Sequence, residues 1–470
     1  MDKKRVVIVG GGIAGLAAAY RLQQTAPDAA ITLVESEQRL GGKIVTERVA
    51  GFVIEGGPDS FLSYKPRGLG LCRELGLEDR LHGTNEKVHR TYVMRGQKLY
   101  PLPEGLSGLI PSRFGPMLKT GLISPIGKLR MGLDYVIPSR SGNGDETLAA
   151  FVQRRLGREL YDRLIEPLLS GIYAGDGAEL SLGATFPQLR QAELDHGSLI
   201  RGMLAAKQKS PSANGHRQWP AFLTPATGLV EIVEALEAKL TGVELRVGAR
   251  AARVAAAGDR FRVLLEPGDS IVADAVILAT PAFVAADLIS NLDSQLADTL
   301  RSIPYVSTAT VSVAYPLAHI PRPLDGYGYL VPRAEGRAIL ACTWTSTKFP
   351  HRAPKGYGLI RAFVGRAGQE EALDGSDDDL LNLVREELRT VLGITAPPML
   401  QRVFRWPKAM PQYTLGHLDR LTVIDRRLAA HPGLVLAGNA YRGVGIPDCI
   451  ASGEAAAEQV SEFLSKDSEQ

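Results

Sequence analysis

Glycines set the first chemistry open to this chain. Gly10-Gly11-Gly12-Ile13-Ala14-Gly15 follows directly on Arg5-Val6-Val7-Ile8-Val9. The β-branched apolar run reads as a buried parallel strand, and Ile13 to Gln24 reads as a small-residue helix. Gly10 allows a tight turn, Gly12 lets backbone approach a pyrophosphate, and Gly15 lets helix and strand pack closely. The anion would sit on free N–H groups at the positive end of the helix. A second strand, Ala30 to Val34, ends at Glu35-Ser36, roughly 20 residues past the glycines, where an acid bonds ribose hydroxyls. Arg39-Leu40-Gly41-Gly42-Lys43 then offers a second close approach of backbone, with Arg39 or Lys43 free to meet phosphate. Dinucleotide binding is the reading. Lys3-Lys4-Arg5 before an apolar run has the outline of a secretory signal, but the glycines make a poor apolar segment and the second strand argues against it.

These residues need elements to hold them. At 470 residues, two or three domains are expected. With 45% hydrophobic and 22% charged residues, the composition is that of a soluble globular protein. A net charge of +3 gives no footprint for nucleic acid. Cys72, Cys342 and Cys449 lie far apart, so neither a disulfide framework nor a metal site is expected, which fits a reducing cytoplasm. Cys449 reads as a small buried hydrophobe. No apolar run is long enough to span a membrane.

Further helices are expected from Leu69 past Leu75, over Glu146–Gly157, Arg158–Leu169, Ser198–Lys209, Thr227–Leu240 and Asp377–Leu392 (capped by Ser376), and from Asp448 to Leu464. Strands are expected at Phe52–Glu55, Val243–Val247, Ala251–Ala255, Phe261–Glu266, Ala275–Thr280, Tyr305–Ala314, Gly328–Val331, Ile339–Thr343, Leu359–Val364, Val403–Trp406 and Gly433–Gly438. The stretch from Lys209 to His216 reads as a polar loop. Between Arg90 and Arg140, Gly and Pro punctuate short apolar segments such as Gly108-Leu109-Ile110-Pro111. There Arg113, Lys119, Lys128, Arg130 and Arg140 outnumber Glu104 and Asp134. This suits a segment lying on an anionic membrane surface, with a helical subdomain carrying solvated lysines as the alternative.

The motifs together resemble the FAD-binding superfamily of amine oxidases, carotenoid desaturases and protoporphyrinogen oxidases. Gly57-Pro58-Asp59-Ser60-Phe61, Ser170-Gly171-Ile172-Tyr173-Ala174-Gly175-Asp176, Met410-Pro411-Gln412-Tyr413-Thr414-Leu415-Gly416-His417 and Gly443-Val444-Gly445-Ile446-Pro447-Asp448 narrow this to the oxygen-dependent protoporphyrinogen/coproporphyrinogen oxidases. The resemblance implies an α/β fold. A Rossmann-like FAD domain of the glutathione-reductase type is expected from 1–85, 224–300 and 400–470. A mixed-sheet substrate domain is expected from 86–95, 205–223 and 301–399, and a helical subdomain, with membrane association as one alternative, from 96–204. FAD is the implied cofactor. Gly57 to Ser60, Val254 (through its backbone at the adenine), Trp406, Ile446, Pro447 and Asp448 join the cofactor residues. Pro447 suits a first helical turn and Asp448 a cap, which would aim the helix end at the flavin.

The implied reaction is a six-electron oxidation of a porphyrinogen to a porphyrin in haem biosynthesis, with O2 as acceptor and H2O2 as product. The flavin carries the chemistry, and no catalytic side chain is expected. Substrate contacts carried over are Arg90 for a propionate, Leu330 and Phe363 for pyrrole faces, and Gly171 for the macrocycle N–H groups. A surface role for Arg90 stays open. Phe363-Val364-Gly365-Arg366 departs from a common double glycine. The resemblance leaves open protoporphyrinogen IX or coproporphyrinogen III as substrate, a homodimer, a hand-off to ferrochelatase, and attachment to the cytoplasmic membrane face. The alternatives are another FAD oxidase of the amine oxidase or carotenoid desaturase type, and a non-enzymatic relative such as the Rab-binding dissociation inhibitors.

Overall fold

The structure is a computed structural model that describes residues 3–104, 106–107, 110–111, 114–142, 144–209 and 219–468. Gly108, Leu109, Arg113 and loop 210–216 lie outside the described residues. A parallel five-stranded sheet runs in the order Val243–Arg246, Ala30–Val34, Arg5–Val9, Ala275–Leu278, Leu434–Leu436. Strand alternation divides its side chains between two cores. Val6, Ile8, Ala275 and Ile277 pack under helices Ile13–Thr25, Val230–Lys239 and Ile446–Ser468. Val7, Val9, Val276 and Leu278 pack under Ala282–Ile289, Ser294–Arg301 and the meander Ala251–Ala257, Arg260–Leu265, Ser270–Ala273. Burial on both faces explains why these strands are continuous apolar runs.

The two ends of the chain close this fold together. Helix Ile446–Ser468 lies along Ile13–Thr25, and a side chain at Gly453 would collide with the Ala14 carbonyl.

A seven-stranded mixed sheet stands beside it, ordered Leu400–Pro411, Tyr305–Pro316, Tyr357–Val364, Ile339–Thr343, Gly328–Leu330, Tyr92–Arg95, Lys98–Pro101. All its pairs are antiparallel except Gly328–Leu330 with Tyr92–Arg95. One face (Ala309, Val311, Val313, Ile360, Ala362, Val364, Tyr329, Cys342) buries against helix Asp377–Leu392. That helix opens on the expected Ser376 cap, a capping box closed by Asp379.

Two expected boundaries move. Leu400–Pro411 bonds into the mixed sheet, so the expected FAD segment 400–470 gives up its first strand. Lys98–Pro101 is the outer strand of that sheet and not part of the helical subdomain. Both follow from hydrogen bonding between strands distant in sequence, which local periodicity does not report. The helix expected over Arg158–Leu169 passes through a π-turn at Tyr161–Ile165 and resumes as Glu166–Tyr173. Pro167 has no N–H for the carbonyl four residues back, and this relaxes the turn. The helical region packs around Leu148, Phe151, Leu164 and Leu169. Fully buried Arg155 bonds Asp134 at 2.5 Å and the Gly197 carbonyl at 2.8 Å.

Candidate cofactor and substrate site

The glycine loop is built around bare backbone. Gly10 has φ +108°, and a side chain on Gly15 would strike the Gly10 carbonyl. Gly12 differs: a Cβ there meets nothing within 4 Å. Gly12 caps helix Ile13–Thr25 with no side-chain cap and no acid in the first turn. The N–H groups at the start of such a helix are where an anion binds. This open cradle is where a pyrophosphate fits.

Glu35 is buried, and its carboxylate accepts from Gly11 N at 2.6 Å, Glu37 N at 2.8 Å and Ser36 Oγ at 3.0 Å. Gly41 N donates to the Gly11 carbonyl at 2.8 Å, and Gly42 packs on Gly12, so segment 39–43 does return to the glycine loop. Arg39 is exposed and donates to the Gly42 carbonyl at 2.8 Å. Val254 lies on the outer strand of the meander with its side chain fully buried, leaving only backbone to meet an adenine. Just before that strand, Ala249 N donates to the Glu35 carbonyl at 2.8 Å.

A second group lies toward the mixed sheet. The Gly56 carbonyl accepts from Trp406 Nε1 at 2.9 Å, Thr310 Oγ1 at 2.7 Å and Arg361 at 3.2 Å. Arg361 also donates to the Gly57 carbonyl, and a side chain on Gly57 would strike the Lys43 carbonyl. Pro58 and Ser60 flank Asp59, which pairs with Lys348 at 2.9 Å and accepts from Ser60 at 2.6 Å. Burial pushes the Asp59 carboxyl up, but Lys348 and Arg361 outweigh it and hold it far below the carboxylate range.

The last helix begins at Ile446, not Asp448. Pro447 suits the first turn because it needs no intrahelical acceptor. Asp448 therefore sits inside the turn and is not a cap. It accepts from Gly445 N at 3.1 Å and pairs with Lys65 at 2.6 Å. Tyr413 fixes the loop before this helix: its hydroxyl accepts from Gly443 N at 2.8 Å and donates to the Asn439 carbonyl at 2.7 Å. Gln412 Nε2 donates to the Tyr173 carbonyl at 2.9 Å, so three of the motif segments are physically joined. Lys43, Gly57, Asp59 and Trp406 all keep some accessible surface, although Lys43 and Asp59 lie deep in the molecule.

The sheet face turned toward Gly56 carries the candidate substrate residues. Leu330, Ala341, Phe363, Thr310 and Phe404 are partners in one line across five strands. Gly171 lies against Leu330, and the Arg361 guanidinium stacks 4.7 Å over Phe363. Arg90 is not brought into this group. It is 67% exposed at the edge of the sheet, 3.5 Å from Asp325. Arg366, where the family pattern has a second glycine, is buried, donates to the Val331 carbonyl at 3.1 Å and lies 3.7 Å from Glu166.

Arg361, Thr310 and Lys348 were not singled out from sequence. The signal for Arg361 was a lone charge inside Leu359-Ile360-Arg361-Ala362-Phe363-Val364. Among the described residues no cluster of metal ligands exists.

The open space at Gly12 makes a test. Gly12→Val should leave the unfolding midpoint of the apoprotein near wild type, because the Cβ at this position meets nothing within 4 Å, yet abolish flavin retention. A purified variant carrying stoichiometric flavin would contradict the cradle.

The model of the family described as flavin containing amine oxidoreductase matches residues 13–461. The chain is 40% identical to coproporphyrinogen III oxidase of Bacillus subtilis (strain 168), covering 98% of this chain and 99% of that protein. It is 33% identical to human protoporphyrinogen oxidase over 97% of this chain and 98% of that one. A crystal structure from Exiguobacterium sp. 255-15, provisionally named a protoporphyrinogen oxidase, superposes with a TM-score of 0.86 at 35% identity, covering 98% and 99% of the two chains. The chain belongs to the flavin-containing amine oxidoreductase family, within its porphyrinogen oxidase branch.

Proposed function

We propose that this chain oxidises coproporphyrinogen III to the porphyrin, using FAD and O2. The carrying observation is the apolar line through Leu330 and Phe363, with Gly171 over one end and the Gly56–Gly57 turn at the other. A flat tetrapyrrole placed on that line reaches the turn where Trp406 donates. The choice of porphyrinogen follows the end-to-end identity of 40% to the coproporphyrinogen III oxidase, against 33% to the human protoporphyrinogen oxidase.

When bound, FAD supplies the two-electron oxidation. The residues of the chain bind and orient. Gly10 to Gly15 and Glu35 would hold the nucleotide half, and Gly57 with Trp406 would border the ring on one side. Gly443 to Asp448 would border it on the other, where the positive end of a helix would stabilise negative charge. Among the described residues no nucleophile–base pair stands in this group, so the protein contributes position, charge and exclusion of water.

Mixing each porphyrinogen with the holoenzyme under air, and following porphyrin fluorescence above autoxidation, tests this. The kcat/KM for coproporphyrinogen III should exceed that for protoporphyrinogen IX. A reversed preference overturns the substrate, and no catalysed rate with either overturns the reaction.

We also propose contact with a membrane surface. Among the described residues no helix is long and apolar enough to cross a membrane. Helix Pro125–Gly132 and its continuation nevertheless expose Ile126 (79%), Leu129 (75%) and Val136 (74%) together. Lys128 and Arg130 are engaged by backbone carbonyls of the fold, which leaves the apolar side chains to make the contact. Co-sedimentation with phospholipid vesicles should occur for the native chain and be lost in Ile126→Glu/Leu129→Glu. Equal sedimentation of the two would refute the contact.

A further inference from the structure

We propose that Lys43 is the counter-charge of the reduced flavin ring and not a ligand of the pyrophosphate. This rests on placing the ring between Trp406 and helix Ile446–Ser468. Lys43 leaves the glycine loop and reaches the other group: its Nζ donates to the Ala409 carbonyl at 2.6 Å. That carbonyl is available because strand Leu400–Pro411 bulges against Val306 and Thr308, with Lys408 held at φ +45°. The lysine therefore ends beside the turn after Trp406, with its own carbonyl against Gly57 and Cys449 of the last helix nearby.

The charge balance there is incomplete. Asp448 is matched by Lys65 and Asp59 by Lys348. Burial pushes the Cys449 thiol up to about 12, so it is neutral. Among the described residues no carboxylate pairs with Lys43, and burial lowers its ammonium to about 8. An unpaired ammonium in a closed site is costly unless an anion arrives. Oxidised flavin has a neutral ring. Accepting two electrons and one proton gives it one negative charge, which the last helix and Lys43 both face. Lys43 thus favours the reduced over the oxidised cofactor, whereas a phosphate ligand would favour both equally.

The test titrates apoprotein with oxidised FAD in air and with dithionite-reduced FAD under anaerobic conditions, comparing native chain, Lys43→Met, Lys43→Gln and Lys43→Arg. Gln keeps a donor for the Ala409 carbonyl without the charge, and Arg keeps the charge. In Met and Gln variants the dissociation constant for reduced FAD should rise at least about tenfold more than that for oxidised FAD, and Arg should keep the native ratio. Equal weakening of both forms, including loss of both, overturns the proposal and makes Lys43 a ligand of the nucleotide or of the fold. Failure of the native chain to bind oxidised FAD would instead overturn the placement of the site.

Discussion

The rest of the structure depends on the contact between helices Ile13–Thr25 and Ile446–Ser468. At Gly453 there is no room for a side chain against the Ala14 carbonyl. Because that contact is backbone on backbone, the starts of the two helices are fixed relative to each other, with little slack for repacking. The first helix starts at the open cradle of Gly12. The last starts at Ile446, after a loop pinned by Tyr413. A bound dinucleotide stretched between two helix ends needs that spacing held, and the two chain termini supply it.

The second constraint is the turn at Gly56–Gly57. Its carbonyls collect donors from three strands of the mixed sheet, through Trp406, Thr310 and Arg361. Arg361 is buried and stacked on Phe363, so the same guanidinium touches the turn and the apolar line that would seat the substrate. Burying it is tolerable because Asp59 and Glu55 share its neighbourhood. The nucleotide fold and the mixed sheet are thus joined, among other contacts, by hydrogen bonds to this turn, which borders the proposed site.

Much of the nucleotide half was legible in the chain. Gly10 to Gly15, Glu35 and the return of Gly41 and Gly42 are local signals, each within one strand–turn–helix unit, and the structure places them together. The Ser376 cap is equally local. The substrate half was less legible. Which side of Tyr357–Val364 faces the cofactor is set by pairing with Tyr305–Pro316, far away in sequence, so the inward direction of Arg361 could not be read from its neighbours. Strand Leu400–Pro411 was seen only in part because Pro407 and Lys408 bulge out of it and interrupt the alternation. Asp448 was read two residues too early in its helix, since Pro447 is compatible with several positions of a first turn.

In the proposed site the reducible ring and the substrate seat share the Gly56–Gly57 joint. The most direct measurement is anaerobic rapid mixing of the flavin-loaded protein with coproporphyrinogen III, following the yellow absorption of the flavin. The yellow colour should bleach as porphyrin forms, one flavin for each pair of electrons, and return on admitting air. Flavin that stays oxidised in the presence of porphyrinogen, with porphyrin appearing only after air is admitted and only at the rate of autoxidation, would contradict that arrangement.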